Sequence, residues 1–138
     1  MIAETPERQV RVLIVDDEED DFILTSAQIN DITSRKFSTE WCPNYNLAVD
    51  RIRESKHDIY FVDYRLGVKT GLDLLREPLV RESEEPIILL TGLGSEFIDL
   101  EAMRLGAADY LIKSELNPEK LDRCIRYCLE RATTLKAS

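Results

Sequence analysis

Five side chains suited to handling phosphate stand at the ends of short apolar runs. Asp16 and Asp17 follow VLIV, Asp63 ends YFVD, Thr91 ends LLT ahead of Gly92, and Lys113 ends YLIK. Carboxylates brought close together repel one another and favour a shared cation. A hard divalent ion with oxygen ligands meets that need, and Mg2+ commonly keeps several waters beside one or two carboxylates. Lys113 would add a point charge, and Thr91 and the backbone N–H of Gly92 would add donors, for a phosphoryl group in transit. A carboxylate can itself be the nucleophile, forming an acyl phosphate.

Each of these residues has an ordinary explanation when taken alone. Asp16 and Asp17 could be an acidic helix start, Asp63 and Thr91-Gly92 turn residues, and Lys113 a surface lysine. Their joint placement matters only if the apolar runs are strands of one sheet. The runs cover 10–15, 37–41, 59–62, 87–90 and 110–112. The first, third and fourth are nearly continuous in Val, Ile, Leu and aromatics, as strands buried on both faces are.

Helix candidates alternate with these runs at 19–32, 45–55, 71–80 and 96–105, the last stopped by Gly106. A fifth is capped by Asn117 with Pro118 in its first turn. Leu121, Cys124, Ile125, Cys128, Leu129 and Ala132 then keep the 3.6-residue period, with fraying expected after about residue 133. Strict alternation predicts an α/β fold, a flavodoxin-like (βα)5 three-layer sandwich with parallel sheet order 2-1-3-4-5. In such a sheet the ligand crevice lies at the carboxyl ends of the strands, where all five side chains stand. The expected division is an N-terminal extension over 1–9, one domain over 10–132 and a tail over 133–138.

Composition narrows the function classes. The chain has 138 residues, 43% hydrophobic and 33% charged, with a formal net charge of −9. That excess of acid disfavours nucleic acid and anionic membrane surfaces as direct partners. The apolar runs are too short to span a bilayer, and the N-terminus lacks a secretory profile, so a cytoplasmic location is expected. Three cysteines, Cys42, Cys124 and Cys128, form no disulfide framework. Cys124 and Cys128 share a helix face, where small apolar filler is favoured over a metal pair.

The segments VLIVDDEEDD, YFVDYRLG, LLTG and GAADYLIK, in that order, resemble the successive signatures of response-regulator receiver domains across about residues 10–132. The resemblance implies Asp63 as phosphoacceptor. It implies Mg2+ held by Asp17, Asp63 and the backbone carbonyl of Arg65, with Asp16 acting through a metal-bound water. Lys113 would pair with Asp63 and then with the phosphoryl group, and Thr91 would turn towards it. Tyr110 matches the switch aromatic, and Gly71 the glycine opening the third helix. The implied partners are a histidine kinase or histidine phosphotransfer protein upstream, and a target protein or output domain downstream.

Two departures stand out. Ser114 follows Lys113 where the family usually has Pro, so a trans bond is expected. DYRLG replaces the commoner Met-Pro motif, which puts Arg65, with Leu93, at the crevice entry.

Rival functions are a docking module that works without phosphorylation and a small phosphatase with an aspartyl nucleophile. The phosphatase would need a second carboxylate two residues past Asp63, where Arg65 stands. The chain could act alone or as the receiver of a longer hybrid kinase or multidomain regulator. Glu18, Glu19, Asp20 and Asp21 read as a solvated helix start, His57 as an exposed loop residue at the far end of its strand, and Trp41 as packing.

Overall fold

The computed structural model describes residues 9–137. The extension expected over 1–9 therefore falls, apart from Gln9, outside the described residues, as does residue 138. In chain order the elements are β1 (Val10–Val15), α1 (Glu19–Asn30), β2 (Phe37–Cys42), α2 (Tyr45–Glu54) and β3 (Ile59–Asp63). A short ladder of β4 (Arg65–Leu66) and β5 (Lys69–Thr70) follows, then α3 (Gly71–Arg76) and α4 (Pro78–Arg81). The chain ends with β6 (Ile87–Thr91), α5 (Glu96–Arg104), β7 (Asp109–Ile112), a 3-10 turn (Lys113–Glu115) and α6 (Pro118–Ala137).

The main sheet runs β2-β1-β3-β6-β7, parallel throughout. Because the antiparallel pair β4 and β5 takes two numbers, this is the expected 2-1-3-4-5 order of the five main strands. Successive strand residues point to opposite faces, so the near-continuous apolar runs feed two cores. Leu13, Val15, Tyr60, Val62 and Leu89 pack against Ala48 and Ile52 of α2, Leu74 of α3, Val80 of α4 and Ala102 of α5. Val12, Ile14, Phe61, Ile88 and Leu90 pack against Ile29 of α1 and Leu121, Ile125 and Cys128 of α6. The result is a sheet between two helical layers.

Caps set the helix starts. The side chains of Asn44, Ser95 and Asn117 accept backbone N–H groups of Leu47, Ile98 and Lys120, satisfying donors that a first helical turn leaves open. Thr70 and Asp73 form a reciprocal capping box at α3. Gly106, at φ +97°, follows the end of α5 as expected.

Two helix expectations need correction. The helix expected over 71–80 is broken: Glu77 is extended, at φ −62° and ψ 130°, and Pro78 opens a separate turn. The proline ring disfavours helical geometry in the residue before it. At the other end, α6 runs on to Ala137, past the fraying point expected near residue 133. No helix among the described residues is long and apolar enough to cross a membrane.

Candidate functional site

The carboxyl ends of β1, β3, β6 and β7 converge. Asp17, Asp63, Arg65, Thr91, Gly92, Leu93 and Lys113 all line one open cavity of about 500 Å3. Asp16 lies beneath, 1% exposed. Carboxylate oxygens of Asp16, Asp17 and Asp63 come within 4.8 Å of one another. Sheet register accounts for this: Val15 pairs with Val62, Asp63 with Leu90, and Thr91 with Ile112. Residues immediately beyond these pairs must share one edge.

Lys113 sits among the acids. Its ammonium lies 2.9 Å from Asp16 Oδ2, 2.9 Å from Asp21 Oδ2 and 3.0 Å from Asp63 Oδ1. Burial works against its charge, but the three carboxylates together hold its pKa above the ordinary lysine value. Asp63 is pushed up to about 6, first by burial and then by the charges of Asp16 and Asp17, against the lowering effect of Lys113. Asp16 is raised in the same direction, chiefly by burial, although Glu18 N–H and Lys113 both donate to it. One ammonium does not balance this much buried acid, which leaves an electrostatic demand for a further cation.

The surrounding loops are tied to the same residues. Asp17 Oδ2 accepts the backbone N–H of Gly67 at 3.1 Å, fixing the β4–β5 turn, where Gly67 adopts φ +69°. Gly71 donates its N–H to the Tyr64 carbonyl at 2.7 Å. A Cβ on Gly71 would collide with the Leu89 side chain and lie 2.9 Å from the Asp63 carbonyl oxygen. Glycine is therefore required where α3 passes behind the acid. Trp41 does more than pack: its indole donates to the Asp16 carbonyl at 2.8 Å, while its ring stacks on Phe22.

Thr91 and Tyr110 hold one short segment between β6 and α5. The Thr91 hydroxyl donates to the Leu93 carbonyl at 3.0 Å. The Tyr110 hydroxyl accepts the backbone N–H of Ser95 at 2.9 Å. Gly94 lies between them, with Ile112 packed where its Cβ would be. No cis peptide occurs among the described residues, so the Lys113–Ser114 bond is trans and leads into the 3-10 turn.

One sequence expectation is extended here and another is overturned. Asp21 does lie in the acidic first turn of α1 with its side chain 41% exposed, but it is also one of three acceptors for Lys113. That turn comes directly after the loop that leaves β1 beside Asp16 and Asp17. His57 is buried rather than exposed, at 7%. Its ring packs against Tyr60, and Nε2 lies 2.8 Å from Glu40 Oε1, so the carboxylate of β2 draws it in. It does remain at the amino end of β3, away from Asp63. Cys124 and Cys128 are buried against the sheet as core filler, with the Cys124 thiol donating to Asp109 at 3.3 Å.

Sheet order and strand-end acids define a protein class, and the comparison agrees. The chain belongs to the response regulator receiver domain family, whose model matches residues 12–126. It is thus a receiver domain of two-component signalling. Among curated relatives, Regulatory protein AtoC of Escherichia coli K12 is 30% identical over 127 residues, 92% of this chain and 26% of that protein. Response regulator RppA of Synechocystis is 29% identical over 83% of this chain and 48% of its own length. The chain therefore spans between about a quarter and a half of these relatives. Solved structures agree on the fold. The CheY-like receiver domain from Methanospirillum hungatei JF-1 superposes with a TM-score of 0.77 at 21% identity, covering 92% of this chain and 98% of that one. The receiver domain of a LuxO repressor from Vibrio parahaemolyticus gives 0.80 at 24%, covering 94% and 97%.

Proposed function

We propose that Asp63 accepts a phosphoryl group from the phosphohistidine of a histidine kinase or histidine phosphotransfer protein. An Asp63 carboxylate oxygen attacks phosphorus, the P–N bond to the donor imidazole breaks, and the imidazole leaves with its electron pair and takes up a proton. Family membership supports this, and the observation that carries it is the buried Asp63 carboxylate 3.0 Å from the Lys113 ammonium at the carboxyl edge of the sheet. The domain turns over no external substrate in this scheme, beyond slow loss of its own phosphoryl group.

Mg2+ fits the donor set, which is all hard oxygen and carries more negative charge than Lys113 offsets. Asp17, Asp63 and the Arg65 carbonyl would hold it, with Asp16 acting through a bound water. When bound, the ion neutralises charge on the transferring phosphoryl oxygens. This chain's own groups do the rest. Lys113 redirects a donor from Asp63 to a phosphoryl oxygen, and the Gly92 N–H offers another. Thr91 leaves the Leu93 carbonyl to donate to the phosphoryl group, which frees the segment that Tyr110 holds at Ser95.

The consequence is a population shift between two arrangements of the face formed by α5, β7 and α6, read by a partner protein or by an output domain in the cytoplasm. Moving such an equilibrium decisively takes on the order of 5 kcal/mol. Charge-assisted contacts from Thr91 and Lys113 to the phosphoryl group, with the repacking of Tyr110, are its source.

The test is direct. With acetyl phosphate and Mg2+, intact-mass analysis should find one added phosphoryl group per chain, and none on Asp63→Asn. Phosphoryl incorporation that survives Asp63→Asn would defeat the assignment.

A further inference from the structure

We infer that Asp21 is a positioning residue for Lys113, an inference that rests on the phosphoacceptor function of Asp63. An ammonium has three N–H donors. Here three carboxylates meet it at nearly equal distance, 2.9 Å from Asp16, 2.9 Å from Asp21 and 3.0 Å from Asp63. Only the Asp63 carboxylate is consumed when the acyl phosphate forms. Asp16 and Asp21 take no part in the bond change and keep two donors occupied, so the third stays directed at the reacting oxygens. A lysine stem has four rotatable bonds and loses them at an entropic cost. Holding the head from β1 and from α1 at once removes that cost before the donor arrives.

Asp21 differs from the neighbouring acids of its run. Glu18, Glu19 and Asp20 are exposed and show no ion pair with Lys113. Asp21 is 41% exposed at its side chain yet reaches the ammonium of Lys113, whose side chain is 20% exposed. It lies outside the group of acids whose oxygens cluster within 4.8 Å, so it acts on the lysine and not as part of that cluster.

The experiment compares wild type, Asp21→Asn and Asp21→Ala for phosphorylation by acetyl phosphate at saturating Mg2+. Alongside it, the Lys113 ammonium signal is followed by lysine-selective 15N NMR, assigned by its loss in Lys113→Arg. Asp21→Asn keeps an oxygen acceptor of the same shape, and far-ultraviolet dichroism confirms that each variant is folded.

Losing one charge-assisted hydrogen bond predicts about a three- to tenfold slower transfer in Asp21→Ala, with Asp21→Asn in between. The slow-exchanging ammonium signal present in wild type should be shifted or lost in Asp21→Ala. An unchanged rate at saturating Mg2+, an unchanged ammonium signal, or no such signal in wild type would each overturn the inference. A wild type that takes up no phosphoryl group would instead defeat the proposed function itself.

Discussion

Lys113 and Asp63 form an ion pair at 3.0 Å, and yet the pKa of Asp63 is raised, to about 6. Burial outweighs the lysine, and Asp16 and Asp17 push the same way. Asp63 is held ionised at a cost, which a cation would relieve.

That cost sets a pH dependence. A carboxyl whose folded-state pKa lies above its unfolded value binds more protons when folded. Metal-free stability therefore falls as pH rises through the window from about 4 to about 6. Asp63→Asn should be more stable than wild type by on the order of 2 kcal/mol at pH 7 without metal, and the gap should close near pH 4. Urea unfolding of both proteins across that range checks it; a gap independent of pH contradicts it.

Mg2+ should stabilise wild type at pH 7, by about 2.7 kcal/mol at one hundred times its dissociation constant. The effect should shrink below pH 6, where Asp63 takes up a proton, and vanish in Asp63→Asn. Thermal melts with and without the ion measure it. Equal stabilisation of wild type and Asp63→Asn would place the ion elsewhere.

Gly71→Ala should destabilise the domain by about 1–3 kcal/mol, because the added methyl meets Leu89 and the Asp63 carbonyl with little room to relax. The proposed phosphorylation should slow as well, since the strain falls on the peptide of Asp63. Chemical denaturation and acetyl phosphate labelling report the two effects separately.

Tyr110→Phe removes the acceptor for the Ser95 N–H. A loss of about 1 kcal/mol in local stability is expected, roughly a fivefold rise in amide exchange at Ser95, with distant strands unchanged. Exchange measured residue by residue by NMR decides this, and an unaltered Ser95 amide would mean that the hydroxyl does not hold the segment.

Much of this was legible in the sequence because it depends on local patterns. Val12 to Val15, Tyr60 to Val62 and Ile88 to Leu90 announce buried parallel strands, and once their order is fixed the residues behind them must meet. Helix ends were readable where a cap or glycine sits, as at Asn117 and Gly106. Misses came where a partner distant in sequence decides the outcome. His57 is buried because Glu40 reaches it, and Asp21 is recruited because Lys113 lies opposite. The break at Glu77 is different: Pro78 was visible inside the 71–80 candidate, and its effect on the residue before it was not applied.

Trp41 is the sole tryptophan of the chain. Its indole N–H is bonded to the backbone of Asp16, at the floor of the acidic cavity. The domain thus carries an optical gauge wired to its own chemistry: any event that tugs on the peptide of Asp16 must perturb the indole's electronic environment. Under the proposed function, emission from the unlabelled protein should time the arrival of Mg2+ or a phosphoryl group.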